Sequence, residues 1–361
     1  MVDRIETYKF LNSDGDLANF PYSIPEDVLL KGYEAMWTAR LVDERMITLQ
    51  RQGTITFAMS SLGEEAAAVA STAALQIEDW IYPQYREVGA IFYRGFSVQD
   101  YIHHMFGNDC DLTLGRQMPN HFGSRKLNVV TVSSPIGTKI PHAAGCAYAM
   151  KIAGANTVAL SFFGEGATSE GDFHAGLNFA AVRKAPAIFF CRNNGYAIST
   201  SVKDQFASDG VAVKGIAYGI ESIRVDGNDF FAVYYATKLA KDHALAGKGP
   251  YLIEAMTYRM GAHSTSDDPS AYRTQEECKE WECMDPILRL RRYLEKKNLW
   301  NEEKENELKT RIKKEIDVSI EQAKKQGVAS LDKIVEHVYE VVPPALKAQL
   351  EQLEKETEWL S

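Results

Sequence analysis

The middle of the chain alternates short apolar runs with longer Ala-rich stretches. The run 157–163 has almost no polar position, which is typical of a parallel strand covered on both faces. The predicted strands are 129–132, 157–163, 187–191, 222–225 and 251–255, and the predicted helices are 141–153, 173–184 and 230–246. Strands that alternate with helices predict an α/β fold with a doubly wound, mostly parallel sheet.

Both ends of the chain lack this alternation and are predicted to be helical. Ser23 and Glu26 form a capping-box pattern at the start of the first helix. The predicted terminal helices are 25–52, a second one after Ser60, 286–297 and 301–325. The last of these is dense in Lys and Glu, as expected of a solvated helix face. The predicted division is a helical extension 1–77, an α/β domain 78–275 and a helical region 276–361.

Composition and charge exclude several classes of protein. The 361 residues are 45% hydrophobic and 25% charged, which is typical of a globular protein and argues against disorder. No apolar run approaches the roughly 18 residues that a membrane span needs. The net charge of -9 argues against a nucleic-acid surface. We therefore expect neither a membrane nor a nucleic acid as a partner.

The five cysteines are irregularly spaced, so they predict neither a disulfide framework nor a zinc knuckle. His103, His104 and Cys110 also fit no common zinc spacing, and His104 is predicted to be a packing residue. The first ten residues contain Asp3 and Glu6 and have no apolar core, unlike a secretory signal or a transit peptide. These features together predict a reducing compartment and a cytoplasmic protein.

Polar and Gly-rich segments follow two neighbouring strands of the predicted sheet. Gly164 and Gly166 come directly after one strand, and Arg192 and Asn194 follow the next. Ligands of open α/β sheets bind at the carboxyl ends of the strands. The glycines allow the backbone to approach a bulky anion, and the start of the following helix, near Ser169, favours a phosphate. The sequence therefore predicts a diphosphate site, with Arg192 as its counter-charge.

The same two segments offer oxygen ligands for a metal ion. Glu165 supplies a carboxylate, Asn194 a side-chain carbonyl and Tyr196 a backbone carbonyl. Hard oxygen donors suit an octahedral Mg²⁺ that completes its shell from a diphosphate and water. Two alternatives stay open: a dinucleotide fingerprint, although Ser169 stands where its third glycine is expected, and simple turns without a ligand.

The two segments together resemble the thiamin diphosphate motif. The stretch 164–200 resembles the alpha subunits of the branched-chain 2-oxoacid dehydrogenases, and the resemblance extends over nearly the whole chain. Further matching segments are 82–87, 115–119, 133–135 and 253–268. Many thiamin enzymes have Asp where Glu165 stands, whereas the branched-chain members have Glu. The resemblance therefore favours that branch over pyruvate dehydrogenase.

The resemblance implies a role for each candidate site residue. The implied cofactor-binding residues are Gln84, Tyr85, Arg86, Ser134, Ile136, Gly166, Ala167, Arg192 and His263, and the implied metal ligands are Glu165, Asn194 and Tyr196. The family implies that Gln84 lies beside the reacting centre and Ile136 beneath the cofactor. His263 is the implied catalytic residue on a loop that closes over the cofactor. An imidazole near its working pKa can stabilise or relay protons and charge, and we expect this of His263.

The resemblance also implies an activity and partners. The implied reaction is oxidative decarboxylation of a branched-chain 2-oxoacid of the 2-oxoisovalerate type, with thiamin diphosphate and Mg²⁺. The acyl group then passes to a lipoyl-bearing acyltransferase. The chain is predicted to have one α/β domain, so the resemblance implies a beta subunit that completes the cofactor site in an α2β2 heterotetramer. The open alternatives are the alpha subunit of a pyruvate or acetoin dehydrogenase and a non-catalytic assembly subunit.

Lys139 departs from the pattern of the mammalian-type members. Those members have a Gln at this position that helps to hold a structural K⁺. The other ligands correspond to Ser133, Pro135 and Thr138. We predict that the Lys139 ammonium replaces the ion among those oxygens; the alternative is that it points to solvent. Ser264 matches a regulatory phosphorylation site of the mammalian-type members.

Overall fold

A six-stranded parallel sheet forms the centre of the computed structural model, which describes residues 5–357. The strands are β1 (Thr7–Tyr8), β2 (Trp80–Tyr82), β3 (Ala159–Gly164), β4 (Ala187–Asn193), β7 (Glu221–Asp226) and β8 (Tyr251–Met256), and a separate antiparallel pair is β5 (Tyr196–Ala197) with β6 (Thr200–Ser201). The strand order is β1-β7-β8-β4-β3-β2. The predicted parallel α/β fold is confirmed. Asp3, in the segment assessed for targeting, lies outside the described residues.

Helices cover both faces of this sheet. They are α1 (Glu26–Arg51), α2 (Glu65–Ala73), α3 (Val88–Tyr93), α4 (Val98–Phe106), α5 (Lys139–Ile152), α6 (Gly171–Arg183), α7 (Val202–Gln205), α8 (Phe230–Leu245), α9 (Gln275–Glu282), α10 (Pro286–Lys296), α11 (Glu302–Ala323) and α12 (Pro344–Thr357). Within residues 5–357, none of the helices combines the length and the apolar character needed to cross a bilayer.

Successive residues of β3 point into two different hydrophobic cores. Leu160 and Phe162 belong to the larger core, which also contains residues of α1, α2 and α8. Ala159 and Phe163 belong to the smaller core, which contains residues of α5 and α6. Because both faces of the strand are buried, the run 157–163 has no polar alternation.

The two strand crossovers next to the site run in opposite directions along the sheet. One leads from β3 through α6 to β4, and the other from β7 through α8 to β8. Right-handed crossovers that run in opposite directions place their helices on opposite faces, as α6 and α8 are. Gly164 pairs with Arg192 in the β3–β4 ladder. The two predicted motif segments therefore emerge side by side at one edge of the sheet.

The terminal helices share the larger core with the sheet. Tyr33 of α1 and Leu290 of α10 are fully buried in it. The N-terminal segment also contributes a strand, since Thr7 pairs with Arg224 of β7. The sheet and the larger core thus include residues on both sides of positions 77 and 275, and the division at those positions stays a prediction.

The strand predicted over 129–132 is wrong. Val129 makes only isolated bridges, one to Ile81 of β2 and one to Ser124. Val129 and Val132 are nevertheless buried in the larger core. The segment is apolar because it is buried, although its backbone is irregular. A short apolar run is the same for a buried strand and for a buried irregular segment.

Two predicted helix starts are also corrected. Pro25, not Ser23, is the N-cap of α1, and no side chain caps that helix, since proline has no side-chain acceptor. The helix expected from about Ser169 begins at Gly171, and a 3-10 turn, Glu165–Ser169, precedes it. The amides nearest the predicted diphosphate site therefore belong to the 3-10 turn.

Candidate active site

A cavity of about 470 Å³ opens at the carboxyl ends of β3 and β4. Its walls include every residue that the sequence predicted for the site. These residues are Gln84, Tyr85, Arg86, Ser134, Ile136, Glu165, Gly166, Ala167, Arg192, Asn194, Tyr196 and His263. The fold thus gathers residues that are up to about half the chain apart, while their individual roles stay predictions.

Two glutamates clamp the buried guanidinium of Arg192. Arg192 Nη1 lies 2.5 Å from Glu64 Oε2, and Arg192 Nε lies 2.5 Å from Glu87 Oε1. Burial alone would lower the pKa of Arg192, but Glu87 and Glu64 raise it above its ordinary value. Glu87 Oε2 also accepts the backbone N–H groups of Gln84 and Tyr85, at 2.8 and 3.0 Å. Glu87 therefore ties Arg192 to the segment that precedes α3.

The third nitrogen of the Arg192 guanidinium is free to bind a ligand. Among residues 5–357, no atom accepts a hydrogen bond from the buried Arg192 Nη2. A buried donor without a partner costs free energy, so this position suits an anion. Gly166 lines the same cavity, and an added Cβ there would come within 2.7 Å of the Cβ of Ala197. This close approach explains why a glycine stands there.

The candidate metal ligands form a loosely bonded group. The side chain of Glu165 accepts two long hydrogen bonds, 3.4 Å from Asn194 N and 3.3 Å from Gln205 Nε2. Burial raises the pKa of the Glu165 carboxyl above its ordinary value, which a bound cation would oppose. Asn194 Oδ1 accepts from Tyr196 N at 3.1 Å, while its Nδ2 donates to Glu64 at 2.8 Å.

Acidic, His and Cys side chains alone do not build a metal site in this structure. Over residues 5–357, no three of them are grouped so that they could hold an ion. A cation at Glu165 would therefore need amide and backbone oxygens, of the kind predicted for Asn194 and Tyr196. Ligands from a diphosphate would complete such a shell.

His263 is a neutral imidazole of defined tautomer. Its Nδ1 lies 3.1 Å from Arg86 Nη2 and 3.5 Å from Arg259 Nη1. A guanidinium only donates, so Nδ1 accepts and the ring carries its proton on Nε2. Burial, followed by the charges of Arg86 and Arg259, lowers the pKa of His263 to about 4. The role of His263 in stabilising charge or relaying protons stays a prediction.

The loop that carries His263 is held from two sides. Arg86 Nη2 donates to the carbonyl of His263 at 2.7 Å, and the Tyr85 ring meets the imidazole edge-on at 6.2 Å. On the other side, the His263 N–H donates to Asp267 at 2.7 Å, and Tyr272 O–H donates to the same carboxylate oxygen at 2.6 Å. These contacts fix the imidazole at the wall of the cavity.

The model of the dehydrogenase E1 component family matches residues 33–332. The chain belongs to this family. It is 46% identical to 2-oxoisovalerate dehydrogenase subunit alpha of Bos taurus, over 98% of this chain and 78% of the relative. The human subunit is 46% identical over 98% and 80%. Alpha subunit 1 of Arabidopsis thaliana is 46% identical over 96% and 74%. The resemblance inferred from the sequence is confirmed.

The same relatives contradict the predicted cytoplasmic location. All three are mitochondrial proteins. All five cysteines of this E1 component are free, in agreement with a reducing environment. Cysteine usage and net charge report on redox conditions and solubility, and these properties do not specify one compartment.

Ser134 of this E1 component is oriented by a histidine that the sequence analysis did not select. His121 Nδ1 donates to the carbonyl of Pro119 at 3.0 Å, because a carbonyl only accepts. His121 Nε2 therefore accepts from the Ser134 hydroxyl, at 2.7 Å. Burial lowers the pKa of His121, in agreement with a neutral ring. His121 lies just beyond the matching segment 115–119, which was the available signal.

Three further cavity-side residues were also missed: Glu64, Glu87 and Arg259. Glu64 falls where the second helix was predicted, after Ser60, and the structure makes it the N-cap residue of that helix, α2. Its burial was the missing information, since a charged residue at a helix start is ordinarily solvated. Among the set-aside residues, His104 bonds Asp111 at 3.2 Å and accepts from the His121 backbone at 3.0 Å. This confirms its packing role.

Lys139 of this E1 component points inward. It is 7% exposed, and its ammonium donates to the carbonyl of Thr131. The alternative in which Lys139 faces solvent is therefore wrong. The predicted oxygens bond one another instead: the hydroxyls of Ser133 and Thr138 are 2.6 Å apart, and Thr138 donates to the Pro135 carbonyl at 3.2 Å. The ammonium thus lies beside that loop rather than among its oxygens.

Lys139→Gln is expected to lower the melting temperature of the protein, and added K⁺ is expected to restore part of the loss. The substitution removes a buried cation that binds Thr131, and K⁺ would occupy the vacated position. Thermal unfolding in KCl and in tetramethylammonium chloride at equal ionic strength tests this. A wild-type protein that is itself stabilised by K⁺, but not by the larger cation, would contradict the prediction.

Proposed function

We propose that this chain is the alpha subunit of a branched-chain 2-oxoacid dehydrogenase. With thiamin diphosphate and Mg²⁺, it decarboxylates substrates of the 2-oxoisovalerate type and passes the acyl group to a lipoyl-bearing acyltransferase. The observation that carries the proposal is the convergence of all the predicted site residues on one cavity. The names of the relatives support the choice of substrate.

The residues of the cavity fit the proposed cofactor. Arg192 Nη2, which has no hydrogen-bond partner among residues 5–357, suits a diphosphate oxygen, and Gly166 lines the same cavity. Glu165, Asn194 and Tyr196 would hold Mg²⁺. When bound, thiamin diphosphate would supply the thiazolium ring as an electron sink for the pair left when CO2 departs.

His263 and its neighbours would act on the substrate end of the cavity. The neutral ring offers its Nε2–H as a donor to a substrate oxygen, because Arg86 and Arg259 occupy Nδ1. Arg86 also holds the backbone of the loop through the His263 carbonyl. These fixed dipoles would stabilise negative charge on the substrate without reorganising.

Exposed apolar side chains at the cavity are evidence for a partner subunit. Three apolar side chains that line the cavity are exposed in this chain: Met118 by 50%, Ile198 by 53% and Ile136 by 37%. Exposed apolar side chains around a polar site are typical of an interaction surface. We assign this surface to the beta subunit of an α2β2 heterotetramer, which would also bring the second α/β domain of the cofactor site.

Substrate rates test the proposed function. With the beta subunit present, we expect kcat/KM for 2-oxoisovalerate to exceed that for pyruvate or acetoin by about tenfold or more, since each buried methylene contributes roughly 1–3 kcal/mol to discrimination. Chelation of Mg²⁺ or omission of thiamin diphosphate is expected to abolish the activity. A preference for pyruvate would favour the pyruvate dehydrogenase alternative. A folded heterotetramer that binds no thiamin diphosphate would favour an assembly subunit.

A further inference from the structure

A second buried carboxylate lies behind the cavity, in the centre of the sheet. Glu254 of β8 stands between Cys191 of β4 and Arg224 of β7 in the strand ladders. It is fully buried, and it does not line the cavity. None of the roles described above uses it. A buried charge at such a position requires partners that compensate for its loss of water.

Four donors from separate parts of the chain satisfy this carboxylate. Oε1 accepts from Asn193 Nδ2 at 2.7 Å and from Val211 N at 2.8 Å. Oε2 accepts from Ala212 N at 2.9 Å and from Arg224 Nε at 2.9 Å. One guanidinium balances the charge, and both oxygens have two donors. Glu254 therefore has both the counter-charge and the hydrogen bonds that a buried carboxylate needs.

These donors bracket the loop that forms one wall of the cavity. Asn193 immediately precedes the loop 194–210, and Val211 and Ala212 immediately follow it. The loop carries Asn194 and Tyr196, two of the three candidate metal ligands. Glu254 thus binds both ends of the segment that presents those ligands, although it touches neither of them.

The backbone at the end of the loop also packs closely against the Glu254 carboxylate. Gly210 has a φ of +73°, in the left-handed region that favours glycine over residues with a side chain. A Cβ at Gly210 would come within 2.5 Å of Glu254 Oε1. Arg224 in turn donates to the carbonyl and the carboxylate of Asp209, the latter at 3.1 Å. The end of the loop is therefore packed directly against the Glu254–Arg224 pair.

We propose that Glu254 is a positioning residue that closes the loop 194–210 at its base and thereby sets the position of Asn194 and Tyr196. Holding both ends at one point removes the freedom of the loop to spread its ends apart. The inference rests on the proposed function for the identity of the ligand, Mg²⁺ with thiamin diphosphate. The closure of the loop does not depend on that identity.

Glu254→Gln tests the proposal, because glutamine has nearly the shape of glutamate. Its NH2 group replaces one acceptor oxygen and faces donors with which it forms no hydrogen bond. In the full chain assembled with its beta subunit, Mg²⁺ affinity at saturating thiamin diphosphate is expected to fall about tenfold or more. Without cofactor, tryptic cleavage after the exposed Lys203, within the loop, is expected to become about tenfold faster. The cleavage assay reports on the loop independently of catalysis.

Asp229→Asn is the matched control. Asp229 is also a fully buried carboxylate with four donors, the amides of Phe10, Leu11, Phe231 and Ala232. Its donors lie outside the loop. This variant is expected to lose thermal stability while it keeps wild-type Mg²⁺ affinity and wild-type cleavage at Lys203. Equal effects of the two variants on affinity and cleavage would overturn the proposal, since Glu254 would then act only through global stability.

Asn193→Ala provides a second variant in case Glu254→Gln does not fold. It frees only the start of the loop, so we expect a smaller rise in cleavage at Lys203 and a smaller loss of Mg²⁺ affinity. Wild-type cleavage and affinity in a folded Glu254 or Asn193 variant would overturn the proposal. If the wild-type heterotetramer binds no thiamin diphosphate, the proposed function fails, and the cleavage assay still decides whether Glu254 closes the loop.

Discussion

Arg192→Met is expected to lower the free energy of unfolding by about 3–5 kcal/mol at pH 7, the range for a buried charge that loses its partner. Glu64 and Glu87 are at most 1% exposed, and the substitution leaves both carboxylates buried beside an apolar side chain. The variant is also expected to lose measurable thiamin diphosphate binding, because the free Nη2 donor is removed. Urea-induced unfolding and titration with the cofactor measure the two effects separately.

The pH dependence of this loss has a defined sign. Burial would raise the pKa of Glu64, but Arg192 and Arg86 hold it below its ordinary value. In the wild type, this contribution to stability is present above the unfolded pKa of about 4.3 and is lost as the pH falls through the lower folded value. In Arg192→Met the pKa of Glu64 rises, so the variant recovers stability on acidification. The difference between the two proteins should therefore shrink towards low pH.

A triple variant separates charge from ligand binding. Glu64→Gln, Glu87→Gln and Arg192→Met together remove both carboxylates and the guanidinium, so no buried charge is left unpaired. We expect this protein to regain most of the lost stability but not the cofactor affinity. If Arg192→Met alone unfolds at the wild-type urea concentration, the two glutamates do not depend on Arg192 for their charge balance.

His263→Ala is expected to reduce overall turnover by about 10²–10⁴-fold while thiamin diphosphate affinity changes less than about threefold. In the proposed function the imidazole would act on the substrate, and the diphosphate would bind at Arg192 instead. Single-turnover acylation of the lipoyl domain and cofactor titration provide the two readouts. A wild-type acylation rate in His263→Ala would rule out the proposed role.

His263→Gln distinguishes a hydrogen-bond donor from a proton relay. The glutamine amide retains an N–H donor but does not titrate, so it should restore part of the rate if the neutral ring acts through Nε2–H. Equal rates in the Gln and Ala variants would favour proton transfer. Because the pKa of His263 is about 4 in the folded protein and about 6.5 in the unfolded chain, wild-type stability should rise with pH across that window. Both variants should lose this part of the pH dependence.

The local pattern of apolar residues was sufficient to predict the central strands and the edge of the sheet at which the candidate site lies. The runs that became β3 and β4 are apolar on both faces, as strands of a covered parallel sheet are. The Gly164–Gly166 and Asn193–Asn194 segments stand at the ends of these two runs. Parallel neighbours end at the same edge, so their meeting followed from strand order alone.

Short or irregular elements were not predictable in the same way. Strand β1 has only two residues, and it exists because Thr7 and Tyr8 find open hydrogen-bonding positions on β7. The Val129 segment is equally apolar but finds only isolated bridges. Whether a short segment becomes a strand depends on a free neighbouring edge, and that edge exists only in the folded sheet.

The sequence by itself determined that this chain forms a parallel α/β sheet. It also determined that a glycine loop, a carboxylate and an amide meet at the edge of that sheet. Both follow from strand periodicity and the order of neighbouring residues, which are local properties. Only the tertiary structure decided the electrostatics. Glu64 reaches Arg192 across more than a hundred positions of the chain, and Arg86 approaches His263 in the same way. Charge balance and pKa depend on distances and burial, and packing sets both for residues that are far apart in sequence.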